Sequence, residues 1–168
     1  MRQALRTAPG FTRWLRFGPL ALAAMAAAAF FTARTAQAQS CSISTLSGVS
    51  FGNYDALNTS PLDQTGSISY QCSVLYIGTV TVDLSTGGSG TYSSRQMHKG
   101  AATLGYNLYR DATRLLVWGN GTGGTSRYGP VVPLLGVPNT LTIYGRIPAR
   151  QTSPVGAYTD TVVATINF

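Results

Sequence analysis

From Ser40 onward the apolar side chains recur at every second position in short runs, and no long segment carries a 3.6-residue period. Alternation over four to eight residues marks a strand with one buried face, so the pattern points to β-structure. Over residues 66–73, Ile68, Tyr70 and Cys72 fall on one face and Ser67, Ser69 and Gln71 on the other. Val80, Val82 and Leu84 share a face, as do Leu104, Tyr106 and Leu108, and the short apolar run 115–118 follows. Over residues 140–147, Leu141, Ile143 and Ile147 align, with Gly145 as the gap; Val162, Ala164, Ile166 and Phe168 align in the last run. Turn-forming clusters separate these runs, among them Asn58-Thr59-Ser60-Pro61, Gly87-Gly88-Ser89-Gly90 and Pro138-Asn139. Short strands at this spacing predict an all-β sandwich.

Residues 1–38 read as an address. Arg2, Arg6, Arg13 and Arg16 precede an apolar, Ala-rich stretch over residues 17–31, and Ala36-Gln37-Ala38 follows. A basic start, a short apolar run and an A-x-A site make a secretory signal peptide. The run falls short of the roughly 20 residues a spanning helix needs. Cleavage after Ala38 leaves residues 39–168 as one domain, large enough for one core. It also removes five of the twelve basic residues and lowers the formal net charge from +7 to +2. A nucleic-acid partner is therefore not indicated. The seven remaining bases are scattered and read as solvated surface.

Two cysteines remain, Cys41 and Cys72. An exported chain meets an oxidising compartment, where a single disulfide is the default. It would tie the first strand to the end of the 66–73 strand, stabilising the fold by ~3–4 kcal/mol in the chain-entropy model. A redox or metal pair is disfavoured, because there is no C-x-x-C and only one histidine, so neither metal nor cofactor is expected.

Two catalytic-looking strings lack their context. Gly48-Val49-Ser50-Phe51-Gly52 matches G-x-S-x-G, but no helix pattern follows it, and the motif works by turning a strand sharply into a helix. Val49 and Phe51 read instead as core residues of a strand. The run 119–124 matches G-x-G-x-x-G, yet no helix opens on it and no acid appears before Asp160, so a loop is expected. His98 lies in Arg95-Gln96-Met97-His98-Lys99, which reads as a polar loop with a surface histidine. The acids are all Asp and no two are placed together as a glycosidase pair. No enzyme is indicated.

In order along the chain stand Cys41; Val49-Ser50-Phe51-Gly52-Asn53-Tyr54; Gly66-Ser67-Ile68 leading to Cys72; Tyr106-Asn107-Leu108-Tyr109; Trp118-Gly119; Tyr144-Gly145-Arg146-Ile147-Pro148 with Gln151; and Gly156-Ala157-Tyr158-Thr159-Asp160, with Phe168 last. Taken together they resemble the spore coat U (SCPU) domain family, which includes subunits of archaic chaperone–usher pili of the Csu type and other bacterial surface and spore-coat proteins. The resemblance implies an immunoglobulin-like, pilin-type sandwich lacking its last strand. Phe51, Gly52, Tyr54, Tyr106, Asn107, Tyr109, Tyr144, Gly145, Arg146, Tyr158 and Asp160 would then be family-motif residues with structural roles.

The same resemblance implies a structural subunit of a secreted surface pilus, active in adhesion and biofilm formation and assembled by donor-strand complementation. A periplasmic chaperone lends a strand, an outer-membrane usher exchanges it for one from another subunit, and the mechanism is β-augmentation. Val162, Ala164, Ile166 and Phe168 would form one edge of the acceptor groove; from the residues alone they could equally be the closing strand of a complete sandwich. Gln39 and Ser40 are too few to complete a neighbour, so a terminal or tip-like position is expected. The alternative is a free-standing cell-surface, spore-coat or glycan-binding module that works through the loops 85–92 and 119–128. Intact-mass measurement of the exported protein should give a chain starting at Gln39; a long extension ahead of Cys41 overturns the terminal position.

Overall fold

The computed structural model describes residues 39–168, and the leader assigned to residues 1–38 lies outside them. Eight strands follow: β1 (Cys41–Ser47), β2 (Leu62–Cys72), β3 (Val80–Leu84), β4 (Arg95–Lys99), β5 (Ala102–Tyr109), β6 (Tyr128–Val131), β7 (Asn139–Ile147) and β8 (Ala164–Asn167). They form two sheets, β1-β2-β7-β5-β4 and β6-β3-β8, with every strand pair antiparallel. The result is the all-β sandwich that the alternating pattern predicts, with the immunoglobulin-like character that the family resemblance implies.

The alternation places the core. Ile68, Tyr70 and Cys72 on β2, Val80, Val82 and Leu84 on β3, and Leu104, Tyr106 and Leu108 on β5 are all buried. Ile143 and Ile147 on β7 join them, with Trp118 from the β5–β6 connection. Fully burying side chains of this size contributes roughly 1.5–3 kcal/mol each. Trp118 donates its indole N–H to the carbonyl of Val82 at 2.9 Å. The run 115–118 is not a strand, however. It makes only isolated bridges, and Leu115 and Leu116 face solvent. Asp111 turns this segment by accepting from the N–H groups of Leu115 and Leu116 (3.1 and 2.8 Å).

Cys41 and Cys72 stand opposite each other in the β1–β2 register and form the disulfide. The bridge closes the first strand onto the end of β2, as the cysteine reading expects. Asp63 and Arg146 are register partners of β2 and β7, joined by a forked pair at 2.7 and 2.8 Å, and Arg114 approaches the same carboxylate at 3.2 Å. The Arg146 hydrogen bond holds the Asp63 carboxyl below its ordinary range.

Residues 95–99 depart from the expected polar loop. They form β4, the edge strand that pairs with β5 from Arg95↔Tyr106 to Lys99↔Ala102. Arg95 is not solvated surface either: its relative exposure is 0%. The guanidinium meets neutral oxygens. Nε and Nη2 donate to the carbonyl of Ser85 (3.0 and 2.8 Å), Nη2 to that of Trp118 (2.7 Å), and Nη1 to Asn107 Oδ1 (2.7 Å). Asn107 passes the link on, donating from Nδ2 to the carbonyl of Tyr92. Burial lowers the Arg95 pKa, but the fan of oxygens and the Tyr92 ring at 5.3 Å partly replace the lost water.

Val49 and Phe51 belong to the core but not to a strand; they lie in the irregular connection after β1. Gly145 explains their seat. A Cβ there would stand 2.7 Å from Val49 Cγ1 and 2.8 Å from Phe51 Cζ, so the gap in the β7 pattern is filled by these two side chains.

Two substitutions test these contacts through the denaturant midpoint of the exported protein. Gly145→Val should destabilise by about 1–3 kcal/mol through overpacking. Arg95→Met should destabilise by about 3 kcal/mol or more, because it removes the donors that reach the Ser85 and Trp118 carbonyls and leaves Asn107 Oδ1 with the Leu108 N–H alone. An unchanged midpoint for Arg95→Met removes the latch from the account.

Candidate functional site: an open groove between the sheets

Three strands cannot cover five. The second sheet ends at β8, whose outer edge has no partner strand among the described residues, and β1 ends the first sheet at the approaching flank. Beside that edge lies a cavity of about 1230 Å³. Its floor is the inner face of the first sheet together with β3: Leu84, Leu104, Tyr106, Leu108, Ile143 and Ile147. Two irregular segments form its walls, residues 48–56 and residues 153–162, with Ala164 at the start of β8.

The first wall stands because Phe51 packs edge-on to Tyr106 at 5.9 Å and onto Gly145. Gly52, at φ 69°, turns the chain in a conformation glycine adopts without penalty. Tyr54 then staples the wall to the loop after β7. Its hydroxyl donates to the Pro148 carbonyl (3.0 Å) and accepts from the Gln151 N–H (2.7 Å). Gln151 continues the ladder with its side chain: Oε1 accepts from the Gly105 N–H and Nε2 donates to the Gly105 carbonyl, both at 2.8 Å.

The second wall is pinned along β4 and β5. Ser153 Oγ donates to the Thr103 carbonyl (2.9 Å), Lys99 Nζ bonds the Val155 carbonyl, and Tyr158 donates to the Pro154 carbonyl (2.7 Å). His98, half-exposed on β4, exchanges both backbone hydrogen bonds with Thr159. Asp160 is the anchor. It accepts from the Tyr106 hydroxyl (2.7 Å), the Gly88 N–H (2.9 Å) and the Thr161 N–H (2.7 Å). Burial and this bond raise the Tyr106 pKa.

The residues singled out from the sequence distribute as follows. Phe51, Gly52, Tyr54, Tyr106, Tyr158 and Asp160 line the groove. Asn107 holds Arg95, Gly145 seats the first wall, and Arg146 pairs with Asp63; Tyr109 and Tyr144 are paired with each other across β5 and β7. Val162 and Ala164 line the groove, whereas Ile166 packs against the core and Phe168, 58% exposed, meets the ring of Tyr76 at 6.1 Å away from it. The loops 85–92 and 119–128 do not line it. The family strings had pointed to Phe51, Gly52, Tyr54 and Gln151 without showing what they hold, and the Lys99 and Ser153 pins left no signal in the sequence.

Ser50 is exposed on the wall, and the next regular element is β2, not a helix. Residues 119–124 form a turn with no helix after it. Among the described residues no cluster of three or more His, Cys, Asp or Glu is assembled.

An apolar-floored groove thus opens beside β8, between the two sheets of an immunoglobulin-like sandwich. Residues 27–165 match the Spore Coat Protein U domain family. The chain is also 38% identical to Protein U of Myxococcus xanthus, over 76% of this chain and 77% of that protein. This chain belongs to the Spore Coat Protein U domain family. The fold is similar to a chain in the crystal structure of the CsuC–CsuE chaperone–tip adhesion subunit pre-assembly complex from archaic chaperone–usher Csu pili of Acinetobacter baumannii, with a TM-score of 0.53 and 21% identity. That likeness covers 78% of this chain and 40% of the solved one, so this chain spans well under half of its length.

Tyr106 gives the groove a pH signature. Its folded pKa lies above the ordinary value of about 10, so its neutral form contributes stability that is fully present below pH ~10 and is lost as the pH rises toward the folded value. Chemical unfolding should therefore show stability falling above pH ~10, and Tyr106→Phe should flatten that fall. An identical slope in the variant assigns the effect to other groups.

Proposed function

We propose that this chain is a non-enzymatic structural subunit of a chaperone–usher surface fibre, exported through its N-terminal leader and completed by a strand received from another chain. The open groove carries the reading. An open channel over Leu104, Tyr106, Leu108, Ile143 and Ile147, next to the edge of β8, combines apolar surface with backbone donors and acceptors that no described strand pairs. Both are unfavourable in water, and one extended strand satisfies both. Its backbone bonds the β8 edge while alternate side chains fill the floor.

The partners in this reading are a periplasmic chaperone that first occupies the groove, an outer-membrane usher, and the neighbouring subunit that replaces the chaperone strand. The solved relative is itself a chaperone–subunit pre-assembly complex, which supports a chaperone as the first partner. Val162 and Ala164 are the rim positions that the incoming strand packs beside. The residues just ahead of Cys41 (FFTARTAQAQS) carry no run of alternating large apolar side chains, which supports a terminal, tip-like place in the fibre and a role in adhesion and biofilm.

The test is hydrogen exchange on the exported protein, with and without a synthetic peptide of alternating apolar residues. Weak protection over residues 162–168, rising by at least about tenfold on peptide addition and lost with Ala164→Asp, is the expected result. A monomer already fully protected through Asn167, and indifferent to peptide, makes the sandwich complete and ends the proposal.

A further inference from the structure

The groove carries a charge pattern opposite to that of the domain around it. Residues 39–168 hold seven basic and five acidic side chains, so the domain is net positive. Yet none of the seven bases lines the cavity. The two charged residues that do are both acids, Asp55 on the first wall and Asp160 on the second. The other three acids are engaged elsewhere. Arg146 and Arg114 hold Asp63, Arg127 holds Asp83, and Asp111 caps its own turn through the Leu115 and Leu116 N–H groups. On β4, Arg95 is buried among neutral oxygens and Lys99 is bonded to the Val155 carbonyl. Among the described residues, no Lys, Arg or His forms an ion pair with Asp55 or Asp160.

Both carboxylates are held in place before any partner arrives. Asp55 Oδ1 accepts from the Leu57 N–H (2.9 Å), a local turn that fixes the side chain on the first wall. Asp160 Oδ1 accepts from the N–H groups of Gly88 and Thr161, and its Oδ2 from the Tyr106 hydroxyl. All four donors are neutral groups, so the charge on neither wall is cancelled. The floor of the same cavity is apolar, with Leu104, Leu108, Ile143 and Ile147 in it. Beside such a surface, in a cleft, a charge acts more strongly than it does in open water. Groups ordered before binding also lose less freedom when a partner arrives.

Building on the strand-acceptor reading above, we propose that the groove selects a basic strand: an extended segment whose alternate apolar side chains meet the floor, while Lys or Arg residues between them pair with Asp55 and Asp160. Successive side chains of a strand point to opposite faces, so those that turn away from the floor come up beside the walls. Lys and Arg suit that place, because their stems lie along apolar surface while the charged head reaches a wall. A strand with Asp or Glu there meets like charge on both walls and is rejected. The net charge of the domain works the other way, since by itself it favours an acidic ligand. A preference for basic strands therefore comes from the acids of the groove and not from the domain as a whole.

The experiment is fluorescence anisotropy of the exported protein with three labelled synthetic peptides. They share the same alternating apolar residues and carry Lys, Ser or Glu at the positions between. In about 0.05 M salt the Lys peptide should bind at least about tenfold tighter than the Glu peptide, with the Ser peptide between them, and the gap should close toward ~0.5 M salt. Asp55→Asn keeps the oxygen that accepts from Leu57 and should narrow the Lys-to-Glu ratio at least about threefold. Adding Asp160→Asn should bring the ratio close to unity. Asp55 is exposed, so the single variant decides the matter even where loss of the Asp160 anchor costs the fold. Equal affinities for the three peptides overturn this proposal and leave the strand-acceptor reading standing. A preference for the Glu peptide, or a Lys preference that Asp55→Asn leaves untouched, overturns it too. Binding of none of the three ends the strand-acceptor reading and this proposal with it.

Discussion

Neighbouring strands in a sheet are about 4.8 Å apart, so a sheet of three strands lies over only part of one of five. Whatever the uncovered strands present must then be met by irregular chain, by water or by another molecule. Here the uncovered strands are β5 and β7, and the chain meets only part of the demand. Phe51 fills the space above Gly145 and the 153–162 segment runs along β4, but a cavity stays open between them. The motif residues fall into place around this shortfall. Tyr54, Gln151 and Asp160 hold the two walls apart and upright, Asp160 through the hydroxyl of the core residue Tyr106.

Arg95 answers a second demand of the same geometry. β4 is an edge strand of the wide sheet, with little of the narrow sheet to pack against. A buried guanidinium that binds the Ser85 carbonyl just past β3 and the Trp118 carbonyl ties that edge to the opposite layer by directional bonds, where apolar contact is thin. Such a group is favourable only when all its donors are satisfied. The four bonds it makes link β4, β5, the end of β3 and the Trp118 turn.

How far the sequence foretold this depends on what each residue faces. Period-two alternation located the inner faces of β2, β3, β5 and β7, because burial on one face leaves a direct mark on composition. The cysteine pair was legible from compartment and count. β4 was not, because Arg95, Gln96, His98 and Lys99 carry no apolar alternation, and the buried arginine reads as surface until its oxygen partners are seen. β6 was missed because its four residues include Gly129 and Pro130. The groove was legible only through family resemblance, because its walls are irregular chain whose order comes from contacts distant in sequence, such as Tyr54 to Pro148.

The side chain of Gln151 stands where the ladder has run out of backbone: β7 stops at Ile147, and past it the carboxamide supplies Gly105 with one donor and one acceptor. That arrangement needs an amide and nothing else. Hydrolysis to glutamate would exchange the Nε2 donor for a second acceptor and set a negative charge against the Gly105 carbonyl. Age would thus act on this molecule at a definite spot. A chain that can no longer be resynthesised in place would lose its grip on one wall by the slow chemistry of a single amide, while its core and its disulfide remained intact.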